Sequence, residues 1–232
     1  MMRTTRDAAY GDIRPLSGVL AAAALPTMLA RWLEAEPVAR GRQLFHHHVG
    51  RTAEAMQYGA ARIVEDGDQV IAAALWLPCA TPSSARAVTA NAAGAFAAKL
   101  GELDAAYGQA HERQPHLRLA GLGVLPHWQR HGIASVLLTE HLEGFATRTR
   151  CLLAADDAVT AVAVRCGYRP YGDPALLGRG SATVQPMLRT ADSGAVRVVH
   201  ENAFAGQGNA SRAGRDTAGA VSTACKPEQG AL

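Results

Sequence analysis

Leu122-Gly123-Val124-Leu125-Pro126-His127-Trp128-Gln129-Arg130-His131-Gly132-Ile133-Ala134-Ser135 is the stretch whose reading decides the fold. The strand that leads into it, His116 to Leu125, is apolar first at odd positions, Leu117 and Leu119, and then at even ones, Leu122 and Val124. A side-chain period of two cannot absorb that change of phase without an extra residue, so a β-bulge is expected near Ala120-Gly121, bending the strand away from its neighbour. Beyond Pro126 the chain turns and enters a helix with Ile133, Leu137, Leu138, Leu142 and Phe145 on one face.

A helix start leaves several backbone N–H groups without intrahelical acceptors and carries the positive end of the macrodipole, which suits a pyrophosphate. Gly132, Ala134 and Ser135 are small enough for close approach, and Gln129 and Arg130 add donors at the mouth, with His131 and Ile133 completing the turn. Leu122, Gly123 and Val124 lie on the bent strand, where main-chain groups are open to an extended ligand such as the amide-bearing arm of pantetheine.

Working outward, Ile13-Arg14-Pro15-Leu16 reads as a short strand, and Leu20, Ala24, Met28, Trp32 and Leu33 recur at helical spacing from Val19 to Leu33. A second helical pattern, Leu44, Phe45, His48, Val49, Thr52 and Met56, follows Pro37 and stops at Gly59. Ala61 to Glu65 and Val70 to Leu77 read as strands joined in a hairpin by Asp66-Gly67-Asp68. The second is apolar throughout, as a central strand covered on both faces should be. An alanine-rich helix is expected from about Ala85 to His111, a buried strand at Arg150 to Ala154, and a helix capped by Asp156-Asp157 and stopped at Gly167. Short strands at Tyr168 to Gly172 and Ser181 to Arg189 complete a mixed α/β or α+β sheet. Residues 1–189 are expected to form one domain, and 190–232, rich in Gly, Ala, Ser, Asn and Thr, a disordered tail.

Composition narrows the function. Charged residues make up 19% of the chain and the formal net charge is +3, with both signs interspersed, which argues against a nucleic-acid partner but allows a local basic mouth for a polyanionic small molecule. Cys79, Cys151, Cys166 and Cys225 are scattered in a chain too large to need disulfide staples, so reduced thiols and a cytoplasmic location are expected. There is no secretory leader pattern, and no run approaches the ~18 apolar residues of a membrane span.

Competing chemistries fail on spacing. The third glycine of a dinucleotide fingerprint beginning at Gly121 would be Pro126, and no phosphate-binding loop with a following Lys-Ser/Thr occurs. Consecutive helical residues point in different directions, so His46-His47-His48 cannot converge on one ion and is expected to form a solvated helix face. His127 and His131 straddle the turn, so no metal site is expected there. Cys166, at a helix end where the dipole disfavours a thiolate, is expected to pack.

The segment Gln129-x-x-Gly132-x-Ala134 resembles the Q/R-x-x-G-x-G/A pattern of the GNAT superfamily of N-acetyltransferases, with Leu122-Gly123-Val124 in place of that family's cofactor-contacting strand. His116-Leu117-Arg118-Leu119, Ala74-Leu75-Trp76-Leu77-Pro78 and Arg165-Cys166-Gly167-Tyr168 look like counterparts in its puromycin N-acetyltransferase-like branch, and the likeness covers roughly residues 12 to 189. The resemblance implies a GNAT-like mixed, mostly antiparallel twisted sheet with helices on both faces and a splayed central strand pair. It also implies transfer of an acetyl group from acetyl-CoA, or another acyl-CoA, to a primary amine by direct attack in a ternary complex. Leu122 to Val124 and Gln129 to Ser135 would hold the cofactor, and a backbone N–H near Val124 would face the oxyanion.

One departure from that family stands out. Where many members carry a tyrosine acid preceded by an asparagine, this chain has Ala163 and Val159. Tyr168, Tyr171 or water is then the substitute acid, and His116, with a reference pKa near 6.5, is the candidate base. The acceptor is expected to be a small-molecule amine in a pocket lined by the helices before Gly59 and after Ala85; assembly as a homodimer is left open. The alternative is a non-catalytic acyl-CoA-binding or sensor domain.

Overall fold

A computed structural model describes residues 3–79, 94–109, 116–139, 149–154 and 157–190. These all fall in one unit, Met1–Val199, and the second unit, His200–Leu232, lies outside them, as do Leu142, Phe145, Asp156 and the expected tail.

Three elements of the sheet explain the rest. Strands β2 (Ala60–Asp66) and β3 (Gln69–Cys79) form the expected hairpin, its turn made at Gly67, whose φ of +62° lies in the left-handed region that glycine tolerates. Strand β4 (His116–Val124) pairs antiparallel with β3. Along β3 the apolar residues divide by parity: Ala72, Ala74 and Trp76 enter one core, Ala73, Leu75 and Leu77 the other. That division is why the strand reads as continuously apolar.

Outside this trio the sheet runs β1-β2-β3-β4-β5-β8-β6, with β7 on β8; here β1 is Arg3–Asp7, β5 Thr149–Ala154, β6 Arg169–Pro170, β7 Ala175–Leu177 and β8 Ala182–Arg189. Every pairing is antiparallel except β4 with β5. One face is covered by α5 (Ile133–Thr139) and α6 (Asp157–Arg165), through Ile133, Leu137, Leu138 and Ala163. The other is covered by α1 (Ile13–Ala24) and α3 (Pro37–Tyr58), with α2 (Met28–Leu33) and α4 (Gly94–Gln109) packing beside them through Ala30, Leu33, Leu44, Phe96 and Leu100. This is the mixed, mostly antiparallel sheet with helices on both faces that the sequence suggested.

Two expectations are corrected. Ile13 to Leu16 is the first turn of α1 rather than a strand; Pro15 fits there because first-turn amides lack intrahelical acceptors in any case. The strand that opens the fold is instead Arg3–Asp7, a polar edge strand held by Arg6, which bonds to both Asp12 and Glu65. The helical pattern from Val19 to Leu33 is divided at Pro26, after which Thr27 caps α2 by accepting a bond from the Ala30 amide at 3.2 Å.

Glycines set two close approaches. A Cβ on Gly123 would stand 3.0 Å from the Cβ of Ala23 and 3.2 Å from the Cα of Leu20, so α1 lies close on β4 because that position has no side chain. At the end of α3, a Cβ on Gly59 would fall 1.9 Å from the Trp76 carbonyl oxygen.

Candidate functional site

The register of β3 against β4 contains the bulge. Leu75 lies opposite Gly121 and Trp76 opposite Leu119, so Ala120 is the extra residue. On the other side of β4, pairing with β5 is confined to His116, Leu117 and Arg118. From Ala120 onward β4 has no strand partner on that side among the described residues, and a gap opens between the two strands.

Ladder alternation decides what faces the gap. The Leu125 amide donates to Ile71 on β3 at 2.9 Å, so Gly123, two residues back, also points its main-chain groups at β3. Leu122 and Val124 therefore turn theirs outward. The Val124 carbonyl accepts from the Gln129 side-chain amide at 3.1 Å, which ties the turn to the strand and leaves the Val124 N–H facing the gap.

The turn itself is a single 3-10 turn, Pro126–Trp128, followed by two left-handed residues, Arg130 at φ +63° and Gly132 at φ +77°. The first helical bond of α5 runs from the Val136 amide to the Gly132 carbonyl at 3.1 Å, so the amides of Gly132, Ile133, Ala134 and Ser135 have no acceptor within the helix. Nothing lies within 4 Å of where a Gly132 Cβ would be, so the approach to those amides is open. Arg130 and His131 are exposed beside it, with the His131 ring nitrogen Nδ1 2.9 Å from the Gln129 carbonyl oxygen, while Ile133 is buried as the anchor of the helix. Trp128 packs against the same core, and its ring is covered by the Arg3 guanidinium at 4.7 Å.

The two residues read as candidate acid and base stand elsewhere. His116 is buried at the closed end of the β4–β5 pair, opposite Cys79 on β3, and lies six positions before Leu122, about 20 Å along a strand. Tyr168 is buried in the core shared with Ile133, Leu137 and Ala163, its amide bonded to the Ala163 carbonyl at 3.0 Å. Cys166 is buried and its thiol pKa is raised by burial, in keeping with packing.

Sequence reasoning missed a second group of polar residues. On the opposite face of the sheet, α1, α2, α3, α4 and β4 line a cavity of about 160 Å3 whose polar lining is Thr27, His47, His48, Arg51, Asp104 and Arg118. Asp104 accepts from Arg51 at 3.1 Å and from Arg118 at 3.3 Å, and Arg51 also reaches Glu54 at 3.3 Å. Burial holds His47 well below the usual histidine range and brings His48 down to about 4, with the neighbouring Arg51 acting in the same direction on both. Burial and Arg118 lower Arg51, while Asp104 and Glu54 oppose them.

The expectation of a solvated histidine face is thus corrected. Of the three, His46 is exposed; His48 follows Leu44 by four residues and so shares its buried stripe, and His47 turns toward the cavity. The signal was present in the sequence, since His48, Arg51, Thr52 and Ala55 continue the spacing begun at Leu44. Arg118 between Leu117 and Leu119 was a second one. Among the described residues no group of three or more His, Cys, Asp or Glu could hold a metal ion, and no helix is long and apolar enough to cross a membrane.

The lowered His48 has a consequence for stability. Its folded pKa lies below the unfolded value near 6.5, so between those limits the unfolded chain binds more protons and stability falls as pH falls. The contribution is complete above about pH 6.5, is lost toward pH 4, and amounts to about 3 kcal/mol. Asp12, held below the usual carboxylate range by its bond to Arg6, withdraws its own contribution only at lower pH. Denaturant midpoints at pH 7, 5.5 and 4.5 are expected to fall steeply for the natural chain and less for His48→Gln; equal slopes would show that His48 is not buried neutral.

No family model and no curated protein matches the sequence. Solved structures do match. The chain is similar to agmatine N-acetyltransferase, at 15% identity over 82% of this chain and 100% of that one, with a TM-score of 0.62. It is similar also to a polyamine N-acetyltransferase from Drosophila melanogaster, which forms N-acetylagmatine, at 15% identity over 81% and 99%, with a TM-score of 0.63. A mosquito arylalkylamine N-acetyltransferase-like protein 5b matches at 11% identity over 81% and 99%, with a TM-score of 0.58. At these identities the likeness establishes the fold, which is that of the N-acetyltransferases named, and says nothing of the branch.

Proposed function

We propose that this chain is an N-acyltransferase of the GNAT type, moving an acetyl group from acetyl-CoA to the primary amine of a small molecule. The observation that carries the reading is the gap beside β4, where Leu122 and Val124 turn main-chain groups outward next to the open amides of Gly132 to Ser135. The diphosphate of coenzyme A would rest on those amides, and its pantetheine arm would pair along Leu122 to Val124, adding a strand-like partner to an edge that lacks one. Gln129 contributes by holding the Val124 carbonyl, and Arg130 and His131 lie exposed at the mouth, where they can meet the phosphates.

In the transfer the neutral amine attacks the thioester carbonyl carbon, a C–N bond forms, the C–S bond breaks and the thiolate leaves with the electron pair. The outward Val124 N–H is the donor for the oxyanion of the tetrahedral intermediate. Holding both reactants in line can supply about 7 kcal/mol or more of the barrier reduction. His116, the base expected from the sequence, stands six positions back along β4, so water in the gap is proposed to take the ammonium proton. Tyr168 is buried in the core beside α5, so water is proposed to return a proton to the thiolate, whose reference pKa of about 8.5 makes protonation a modest requirement.

A second reading, a non-catalytic acyl-CoA sensor, draws on Ala163 and Val159, which offer no proton donor at the positions where many GNAT enzymes have one. Calorimetric titration with acetyl-CoA and CoA, followed by thiol release in the presence of an amine panel, separates the readings. Binding with turnover is expected; binding without turnover for any amine favours the sensor, and absence of binding removes both.

A further inference from the structure

The cavity on the α1–α4 side of the sheet meets the bulge: Ala120 forms part of its wall and is also the residue of β4 from which strand pairing on the β5 side is lost among the described residues. A molecule held there reaches the strand where the gap begins. The charges beside it are matched within the protein. Arg51 and Arg118 both bond to Asp104, and Arg51 bonds also to Glu54, so two cations face two carboxylates. The Thr27 hydroxyl is committed as well, donating to the Ala24 carbonyl and accepting from the Ala30 amide. The Nδ1 atom of His48 differs: it is buried with no hydrogen-bond partner among the described residues, which a ligand's polar atom would supply. Leu29, Leu33, Leu44, Leu100 and Leu103 make most of the remaining wall.

From this charge-balanced lining we infer that the acceptor is a monoamine whose body is apolar and uncharged and carries a hydroxyl that bonds to His48 Nδ1. An anionic body would have to take an arginine from its carboxylate, and a second ammonium would have to take Asp104 from its arginines. Either exchange leaves a buried charge without its partner. An apolar body displaces neither and gains by leaving water. A hydroxyl suits the His48 atom in either tautomer of the neutral ring, since it donates to a bare nitrogen and accepts from an N–H. A volume of about 160 Å3 is close to that of an engineered cavity that admits benzene, so the part of the ligand held there is the size of one ring, about six to eight non-hydrogen atoms. The hydroxyl takes no part in the transfer; it fixes which amine is presented.

This inference rests on the transferase reading for the amine, whereas the cavity is tested without acetyl-CoA. The full chain is titrated with phenol, toluene, benzoate and benzamidinium, each followed by ligand-observed NMR. Phenol is expected to bind about tenfold or more tighter than either ion. His48→Leu, apolar and of similar size, is expected to lower the ratio of phenol to toluene affinity about fivefold, the worth of one hydrogen bond. With acetyl-CoA present, para-hydroxybenzylamine is expected to exceed para-carboxybenzylamine and para-aminomethylbenzylamine about tenfold in kcat/KM. Benzoate or benzamidinium binding as tightly as phenol, no binding of any probe, or equal kcat/KM for the three amines overturns the proposal without need of any variant. An unchanged phenol-to-toluene ratio in a folded His48→Leu chain overturns it too. Should phenol be preferred through His48 while acetyl-CoA fails to bind, the site for an uncharged ligand stands and the transferase reading falls.

Discussion

Gly132→Glu is expected to raise the dissociation constant for acetyl-CoA about a hundredfold or more while the chain still folds. Gly132 has φ +77° and nothing within 4 Å of its absent Cβ, so an added Cβ strikes no protein atom at the mouth of the turn. A carboxylate there faces the incoming diphosphate at close range. At an effective dielectric of about 20, unit charges 4 Å apart repel by about 4 kcal/mol, and solvent at the mouth reduces this to about 3 kcal/mol, still two decades in affinity. The cost to stability comes from the backbone alone, about 1–2 kcal/mol for a side-chain-bearing residue in the left-handed region. Gly132→Asn separates the two effects, since asparagine tolerates that region and brings no charge; its loss of affinity should be far smaller. Calorimetry on both variants, with melting curves, reads the result, and native-like binding by the glutamate variant would place the donor elsewhere.

Gly59→Ala is expected to have the largest effect on stability. An added methyl would lie 1.9 Å from the Trp76 carbonyl oxygen and 3.2 Å from the Leu77 Cα, both main-chain atoms of the central strand, so relief requires moving α3 or β3 as a body. Overpacking against rigid backbone costs about 3 kcal/mol. For a domain of this size that lowers the melting temperature by about 6–12 °C, or leaves no soluble protein. A melting temperature within a degree or two of the natural chain would mean that α3 does not lie on β3 as described.

Most of the sheet was legible because its signals are local and periodic. The change of phase between Leu119 and Leu122 located the bulge near Ala120-Gly121, and the register assigns the extra place to Ala120. The uninterrupted apolar run of β3 likewise announced a strand covered twice. What escaped was set by partners far away in sequence. Arg3–Asp7 has no apolar period to betray it, because an edge strand with ion pairs across to Glu65 and Asp12 owes its place to those partners. Ile13 to Leu16 looked like a strand because four residues cannot distinguish the two periods. The turn from β4 into α5 was legible in the sequence, yet the back-bond from Gln129 to Val124 was not, since it depends on the fold of the 3-10 turn between them. The cavity was hidden for a different reason. His48, Arg51, Asp104 and Arg118 come from three elements, and each alone reads as a surface residue; only the packed helices show that they neutralise one another out of water.

The cation–π contact of Arg3 on Trp128 carries a practical corollary. Any affinity handle or fluorescent fusion joined just upstream of Arg3 would hang over the indole that borders the turn between β4 and α5. Preparations differing only in that handle would then disagree in thioester affinity, so a handle at the opposite terminus is the sounder choice for assays. The same indole gives a built-in reporter, because its emission would register both the guanidinium above it and a ligand arriving at its side.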